Sequence, residues 1–194
     1  MTIRLFLCGP VLAVLLFLTL PAQAAVIITA VESGGDVIFS TDGGTLDLTG
    51  LSFVKTDNNL TGDRVKPSNG DLLFTALDED VDVYEGISGP LSFGSGLQTD
   101  ADSVSGDSFL MSSFSGAPRV GVGTGFVSGG TVGAASMTFN GATLASLGIT
   151  PGTYEWTWAG DSVTLNATVP VPAAAWLFAS GLGLLGWIRR GKVD

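Results

Sequence analysis

The densest group of residues able to hold a ligand is Asp78-Glu79-Asp80-Val81-Asp82-Val83-Tyr84-Glu85. Asp78, Asp80 and Asp82 alternate, so on an extended chain they share one face. Calcium takes about six to eight oxygen ligands, and such a row offers several of them. An EF-hand loop needs glycine at its sixth position, where this sequence has Val83. The competing reading is a solvated acidic edge, which also blocks strand-to-strand aggregation. Just after it, Gly86-Ile87-Ser88-Gly89-Pro90 approximates the G-x-S-x-G of a nucleophile elbow, with Pro90 in the last glycine's place. The chain contains no histidine, so Ser88 has no imidazole base. The one cysteine, Cys8, lies near the N-terminus inside an apolar run, which leaves the rest of the chain without thiol or disulfide chemistry. Glycoside hydrolysis needs only two carboxylates. From Ala25 to Pro172 there are 17 acidic residues, and no pair stands out among them. Tyr154, Trp156 and Trp158 alternate along the chain. They read either as rings closing a core or as a stacking platform for sugars. Asn59-Leu60-Thr61 and Asn166-Ala167-Thr168 fit the glycosylation sequon by pattern alone.

The charge balance excludes other functions. Four basic residues, Lys55, Arg64, Lys66 and Arg119, face those 17 acids, a net charge of −13 for the segment 25–172. Nucleic acid phosphates repel such a surface. It keeps the protein soluble and attracts cations. No cofactor and no enzymatic activity are expected.

The elements that must carry these residues are strands. Gly, Ser, Thr and Val dominate the middle of the chain, while Lys, Glu and Gln are scarce, which predicts an all-β domain with many turns. Residues 25–31, 36–40 and 45–49 read as a three-strand meander turning at Gly34-Gly35 and Gly43-Gly44. Residues 52–108 read as loops and short strands. Val120, Val122, Thr124 and Phe126 alternate with Gly121, Gly123 and Gly125, as a strand with one bare face or as a glycine loop. Met137-Thr138-Phe139 is a short strand, and Ala142 to Leu147 one helical turn. Residues 154–158 and 163–169, with Ala159-Gly160-Asp161 between them, form a hairpin by their period of two. Eight to ten short strands in a two-sheet sandwich or jelly roll are expected over 25–168.

Both ends of the chain read as targeting segments. Arg4, an apolar run from Leu5 to Leu20, and Pro21-Ala22-Gln23-Ala24 form the three parts of a secretory signal peptide. Ala22 and Ala24 stand at −3 and −1 of a cut that makes Ala25 the first mature residue. At the other end, Ala173 to Ile188 carries no charge. As a helix it is about 24 Å long, marginal against a hydrocarbon core of about 30 Å. Trp176 and Trp187 flank it, and Arg189, Arg190 and Lys192 follow, which directs the tail to the cytoplasm and the body outside. Within the span, Gly181 to Gly186 matches G-x-G-x-x-G only formally, because no strand precedes it. Ser180, Gly183 and Gly186 fit close approach of another membrane helix better.

The segment Val169-Pro170-Val171-Pro172, the helix containing Trp176-Leu177-Phe178 and Ser180-Gly181-Leu182, and the basic pair Arg189-Arg190 together resemble the PEP-CTERM sorting signal. Val171 stands where the namesake motif has glutamate. Phe126-Val127-Ser128-Gly129 and the stretch from Ala145 to Trp158 are similar to the bodies of proteins carrying that signal, bodies with no assigned chemistry. The resemblance implies a non-enzymatic envelope or extracellular-matrix protein. Signal peptidase and the secretion machinery would export it. It would be anchored in the inner membrane with its body in the periplasm. An exosortase-like membrane transpeptidase would then recognise Pro170-Val171-Pro172 and release it to the surface or matrix, with exopolysaccharide as a possible partner. The alternative is a secreted carbohydrate-binding module that uses the aromatic residues.

Overall fold

The computed structural model describes residues 26–60, 62–74, 79–113, 116–170 and 180. The signal segment with Ala22, Ala24 and Ala25, the ligand candidate Asp78, and the sorting residues from Val171 onward except Ser180 lie outside the described residues. Among the described residues no helix is long and apolar enough to cross a membrane.

One sheet has six strands, in the order β14 (Gly152–Thr157), β15 (Ser162–Thr168), β1 (Val26–Ser33), β2 (Asp36–Thr41), β13 (Ala135–Phe139) and β9 (Ser103–Gly106). β1 and β2 are joined through Gly34-Gly35, both at positive φ (67° and 97°). Two-residue hairpin turns of the primed types demand that conformation, which glycine adopts without steric cost. β1 and β15 run parallel, with Val26 opposite Val163 and Val31 opposite Thr168. The first and last strands of the fold therefore lie side by side.

The second sheet has seven strands: β4 (Ser52–Leu60), β7 (Glu79–Glu85), β11 (Arg119–Gly123), β10 (Phe109–Ser112), β6 (Asp71–Phe74), β5 (Arg64–Lys66) and β8 (Thr99–Asp100). A two-strand ribbon pairs β12 (Gly130–Val132) with β3 (Gly44–Leu46).

Period-two patterning gives each sheet an apolar inner face, and the two faces meet in one core. Val26, Ile28, Phe39, Met137, Phe139, Trp156 and Leu165 come from the first sheet; Leu72, Phe74, Phe109, Met111, Val120 and Val122 come from the second. Full burial of such a side chain contributes about 1.5–3 kcal/mol. The all-β sandwich expected from composition is the observed architecture. A second apolar cluster, Leu73, Val81, Val83 and Leu110, lies on the far side of the seven-stranded sheet.

Several local expectations are corrected. The opening meander does not form: β1 and β2 pair, but β3 leaves the sheet to pair with β12. Thr41 Oγ1 accepts the N–H of Gly43 at 3.0 Å, and Gly43 takes a φ of 82°, which redirects the chain after β2. Residues 52–108 are more ordered than their composition predicts, because β4 and β7 pair over most of their length despite two register irregularities. β11 ends at Gly123, so Thr124 and Phe126 lie beyond the strand, in a turn. Fifteen strands appear among the described residues, against the expected eight to ten. The segment 142–147 does turn once, with Leu147 N–H donating to Thr143 O at 3.0 Å.

Candidate functional site

The three aromatics of the last hairpin do not form an exposed platform. Trp156 is wholly buried, and its indole N–H donates to Pro90 O at 2.9 Å. Tyr154 is half-buried against Phe93 and donates its hydroxyl to Thr150 O at 2.7 Å. A tyrosine tied back to its own chain a few residues upstream is a device of sandwich corners. Trp158 is half-buried, with its indole N–H donating to Asp47 O at 2.6 Å. Each ring thus satisfies its polar atom on a backbone carbonyl.

Ser88 of the elbow-like motif belongs to a strap along the edge of β14. It exchanges both backbone hydrogen bonds with Thr157, at 2.9 and 2.8 Å. Farther along, Ser95 and Gly96 donate their N–H groups to Gly148 O. The strap covers an edge that would otherwise present unpaired backbone groups.

In the acidic row, Asp80 and Asp82 share a face of β7, while Val81 and Val83 share the other. Asp82 Oδ1 accepts the hydroxyl of Thr56 at 2.7 Å. Among the described residues no three Asp, Glu, Cys or His side chains gather closely enough to hold a metal. Many acids instead fasten loops. Glu32 accepts Leu144 N–H, Asp36 accepts Gly141 N–H and Asp102 accepts Asn140 N–H, at 2.7, 2.9 and 2.7 Å.

Asp47 is the most connected of these acids. Its Oδ1 accepts Thr49 N–H at 2.9 Å and the Ser128 hydroxyl at 2.8 Å. Ser128 Oγ in turn accepts Leu48 N–H at 2.8 Å. Buried Asp161 accepts Asp47 N–H through Oδ2 and Ser162 N–H through Oδ1, at 3.0 and 2.8 Å. The hydrogen bonds from Thr49 and then Ser128 hold the Asp47 carboxyl below its ordinary value. The stretches containing Ser128 and Trp158, singled out together in the sequence, meet at this loop. Its chemistry is structural.

The arrangement that sequence reasoning missed lies on the outer face of the seven-stranded sheet. The strand registers align Lys55, Val83, Gly121, Leu110, Leu73 and Arg64 in one row across β4, β7, β11, β10, β6 and β5. Val65 points into the core, so Arg64 and Lys66 face outward. Arg119 lies on the same side, opposite Glu85. The four cations of a strongly acidic domain therefore share one sheet face.

Lys55, Arg64 and Arg119 surround a depression of about 240 Å³ whose floor is Leu60, Val83 and Leu110. Asp57, Asp71 and Ser112 complete the lining. Lys55 Nζ lies 2.5 Å from Asp57, Arg64 Nε lies 3.6 Å from Asp71, and Arg119 Nη2 lies 3.5 Å from Glu85. Arg64 and Arg119 lie largely buried, at 24% and 20% side-chain exposure, with apolar residues beneath them. A larger depression of about 460 Å³ beside β11 is lined by glycine-rich loops. Its carboxylates already hold protein groups: Glu79 accepts the Ser108 hydroxyl and Asp107 accepts Gly133 N–H, both at 2.8 Å.

Of the sorting residues, Val169 and Pro170 follow β15 and are exposed, and Ser180 is helical and exposed. Pro170 borders the β1–β2 turn. Comparison with protein-family models, with curated proteins and with solved structures finds no match to this chain.

Proposed function

We propose that this chain is an exported, non-enzymatic protein of the cell envelope or extracellular matrix, whose C-terminal segment is a sorting signal processed by an exosortase-like membrane transpeptidase. The observation that carries the reading is the boundary of the fold. β15 pairs through Thr168, and the next residues, Val169 and Pro170, are exposed. Proline has no N–H to extend a ladder, so Pro170 separates the domain from the C-terminal segment. A peptidase acting near Pro170-Val171-Pro172 would leave the sandwich whole. Export fits the absence of histidine and of cysteine beyond Cys8, and the acidic surface suits a soluble body outside the cell.

The aromatic carbohydrate-binding alternative lacks its platform, since Trp156 is inaccessible and Tyr154 and Trp158 are half-buried and anchored.

Mass spectrometry of the protein from cells with and without the membrane processing enzyme tests the proposal. The expected result is a mature chain starting at Ala25 and losing its C-terminal segment only when the enzyme is present. An intact C-terminus at Asp194 in both would sink the sorting reading and leave a plain membrane anchor. Hydrolysis of the host's own polysaccharide by the purified chain would overturn the non-enzymatic part.

A further inference from the structure

The cationic groove is out of character with the rest of the domain. Random placement of four cations in a domain of net charge −13 would scatter them among the acids. Here all four stand on one sheet face, and three of them surround one depression with an apolar floor. Surface ion pairs contribute little stability, about 0–1 kcal/mol each, so stability alone is a weak reason to gather them there.

The lining has three cations and two carboxylates, a local excess of one positive charge. The excess is localised at Arg119. Lys55 and Arg64 are paired with Asp57 and Asp71, which belong to the lining, whereas Arg119 is 3.5 Å from Glu85, which stands outside it and is half-exposed. One excess charge matches a monoanion better than a phosphate dianion. A planar guanidinium matches a carboxylate through two parallel hydrogen bonds. Asp57, Asp71 and Ser112 are acceptors for hydroxyl groups, which a plain fatty acid does not offer. The floor of Leu60, Val83 and Leu110 suits the C–H face of a small ring. At about 240 Å³ the space falls below the usual range of about 300–1,000 Å³ for drug-sized ligands.

We propose that this groove binds a hydroxylated monocarboxylate of the chemical class of a uronic acid unit, with Arg119 taking the carboxylate and Asp57 and Asp71 taking hydroxyl groups. The site rests on the groove alone and stands whether or not the C-terminal segment is a sorting signal.

Calorimetric titration of the full chain in neutral detergent, with sodium glucuronate as the probe, tests it. Glucose, hexanoate and inorganic phosphate are run in parallel. Glucuronate should bind at least tenfold more tightly than any of the three, and its affinity should fall as sodium chloride rises from about 50 to 500 mM. Arg119→Gln should lower glucuronate affinity at least tenfold, Arg119→Lys less, and Lys66→Gln, which alters a cation on the same face outside the lining, should leave it within twofold. Circular dichroism establishes that each variant is folded. Equal binding of glucose, or no heat with glucuronate, overturns the proposal without recourse to any variant. Equal binding of hexanoate or phosphate overturns the hydroxylated monocarboxylate as the ligand class. Unchanged affinity in folded Arg119→Gln overturns the assignment of the carboxylate to Arg119.

Discussion

The buried carboxylate of Asp161 accepts the backbone N–H of Asp47 at 3.0 Å, joining two loops that are 114 residues apart in the chain. Its other oxygen accepts Ser162 N–H at 2.8 Å. Gly160, just before it, admits no side chain, because a Cβ there would lie 2.8 Å from Asp47 O and 2.9 Å from Thr49 O. Asp161→Ala leaves two donors without their acceptor in a buried place. Each such loss costs about 1–3 kcal/mol, so a total near 2–5 kcal/mol is expected. Chemical denaturation should show a lower midpoint with an unchanged slope. A loss below about 0.5 kcal/mol would remove Asp161 from its role as the fastening group.

Asp47 should make the fold sensitive to acid in a definite direction. Hydrogen bonds from Thr49 and Ser128 favour its charged form and hold its folded-state value below the ordinary 3.8. The stabilisation is fully present above the unfolded-state value and is lost as the pH falls through the lower folded-state value. The melting temperature of Asp47→Asn should therefore lie below that of the parent at pH 7, and the gap should narrow below about pH 4. A gap that is constant from pH 7 to pH 2 would contradict this account.

Glycines in the strap along β14 are required by close approach. A Cβ at Gly94 would stand 2.0 Å from Gly148 O, and one at Gly96 would stand 1.9 Å from Leu147 O. Both clashes are with backbone, which cannot rotate away. At Gly123 the nearest atom to a Cβ is Glu79 Oε2, at 3.9 Å. Gly94→Ala and Gly96→Ala should each cost about 2 kcal/mol or more, and Gly123→Ala less than about 0.5 kcal/mol. Thermal melting of the three variants checks the order, and equal losses would argue against the strap's tight docking.

Trp156 offers a sharper contrast, because its ring is wholly buried while Leu97, next to Gly96 of the strap, is 77% exposed. Trp156→Ala should cost about 3–5 kcal/mol and Leu97→Ala less than about 0.5 kcal/mol, as read by chemical denaturation. If Trp156→Ala were neutral, the ring would not be in the core, and a stacking role would regain its footing.

How much of the fold could be read from the sequence depended on the range of the interactions. The alternation at Val163, Leu165 and Ala167 marks β15 and its inward face, because a strand's period is written in consecutive residues. The pairing partner is not written there: β1 has the same alternation, and nothing local distinguishes a parallel neighbour from an antiparallel one. β4 was hidden by Lys55, Asp57 and Asn58, polar residues that an edge strand tolerates. The groove was hidden for the same reason of range. Lys55, Arg64 and Arg119 are scattered in sequence and meet only when three strands take their places in the sheet. Ser128 and Trp158 could be grouped beforehand by resemblance, but Asp47, which joins them, could not.

The parallel pairing of β1 with β15 sets where the chain enters and leaves the domain. Val26 lies opposite Val163 and Val31 opposite Thr168, so the entry and the exit are at opposite ends of these strands, about 17 Å apart at 3.3 Å per residue. A domain tethered through Pro170 would hold its Val26 end away from the tether. Cross-linking can test the register, because Cys8 is the only native cysteine and can be replaced by serine. Ile27 is half-exposed and faces Thr164 directly in the register. Thr168 lies four residues farther along β15, about 13 Å away, beyond the limit of about 7 Å for bridging Cα atoms. In a Cys8→Ser background, Ile27→Cys with Thr164→Cys should form a disulfide readily under mild oxidation, while Ile27→Cys with Thr168→Cys should not. An antiparallel arrangement of the same two strands would bring Ile27 toward the Thr168 end and reverse the result. That reversal would place the two termini of the domain together and undo the geometry of the tether.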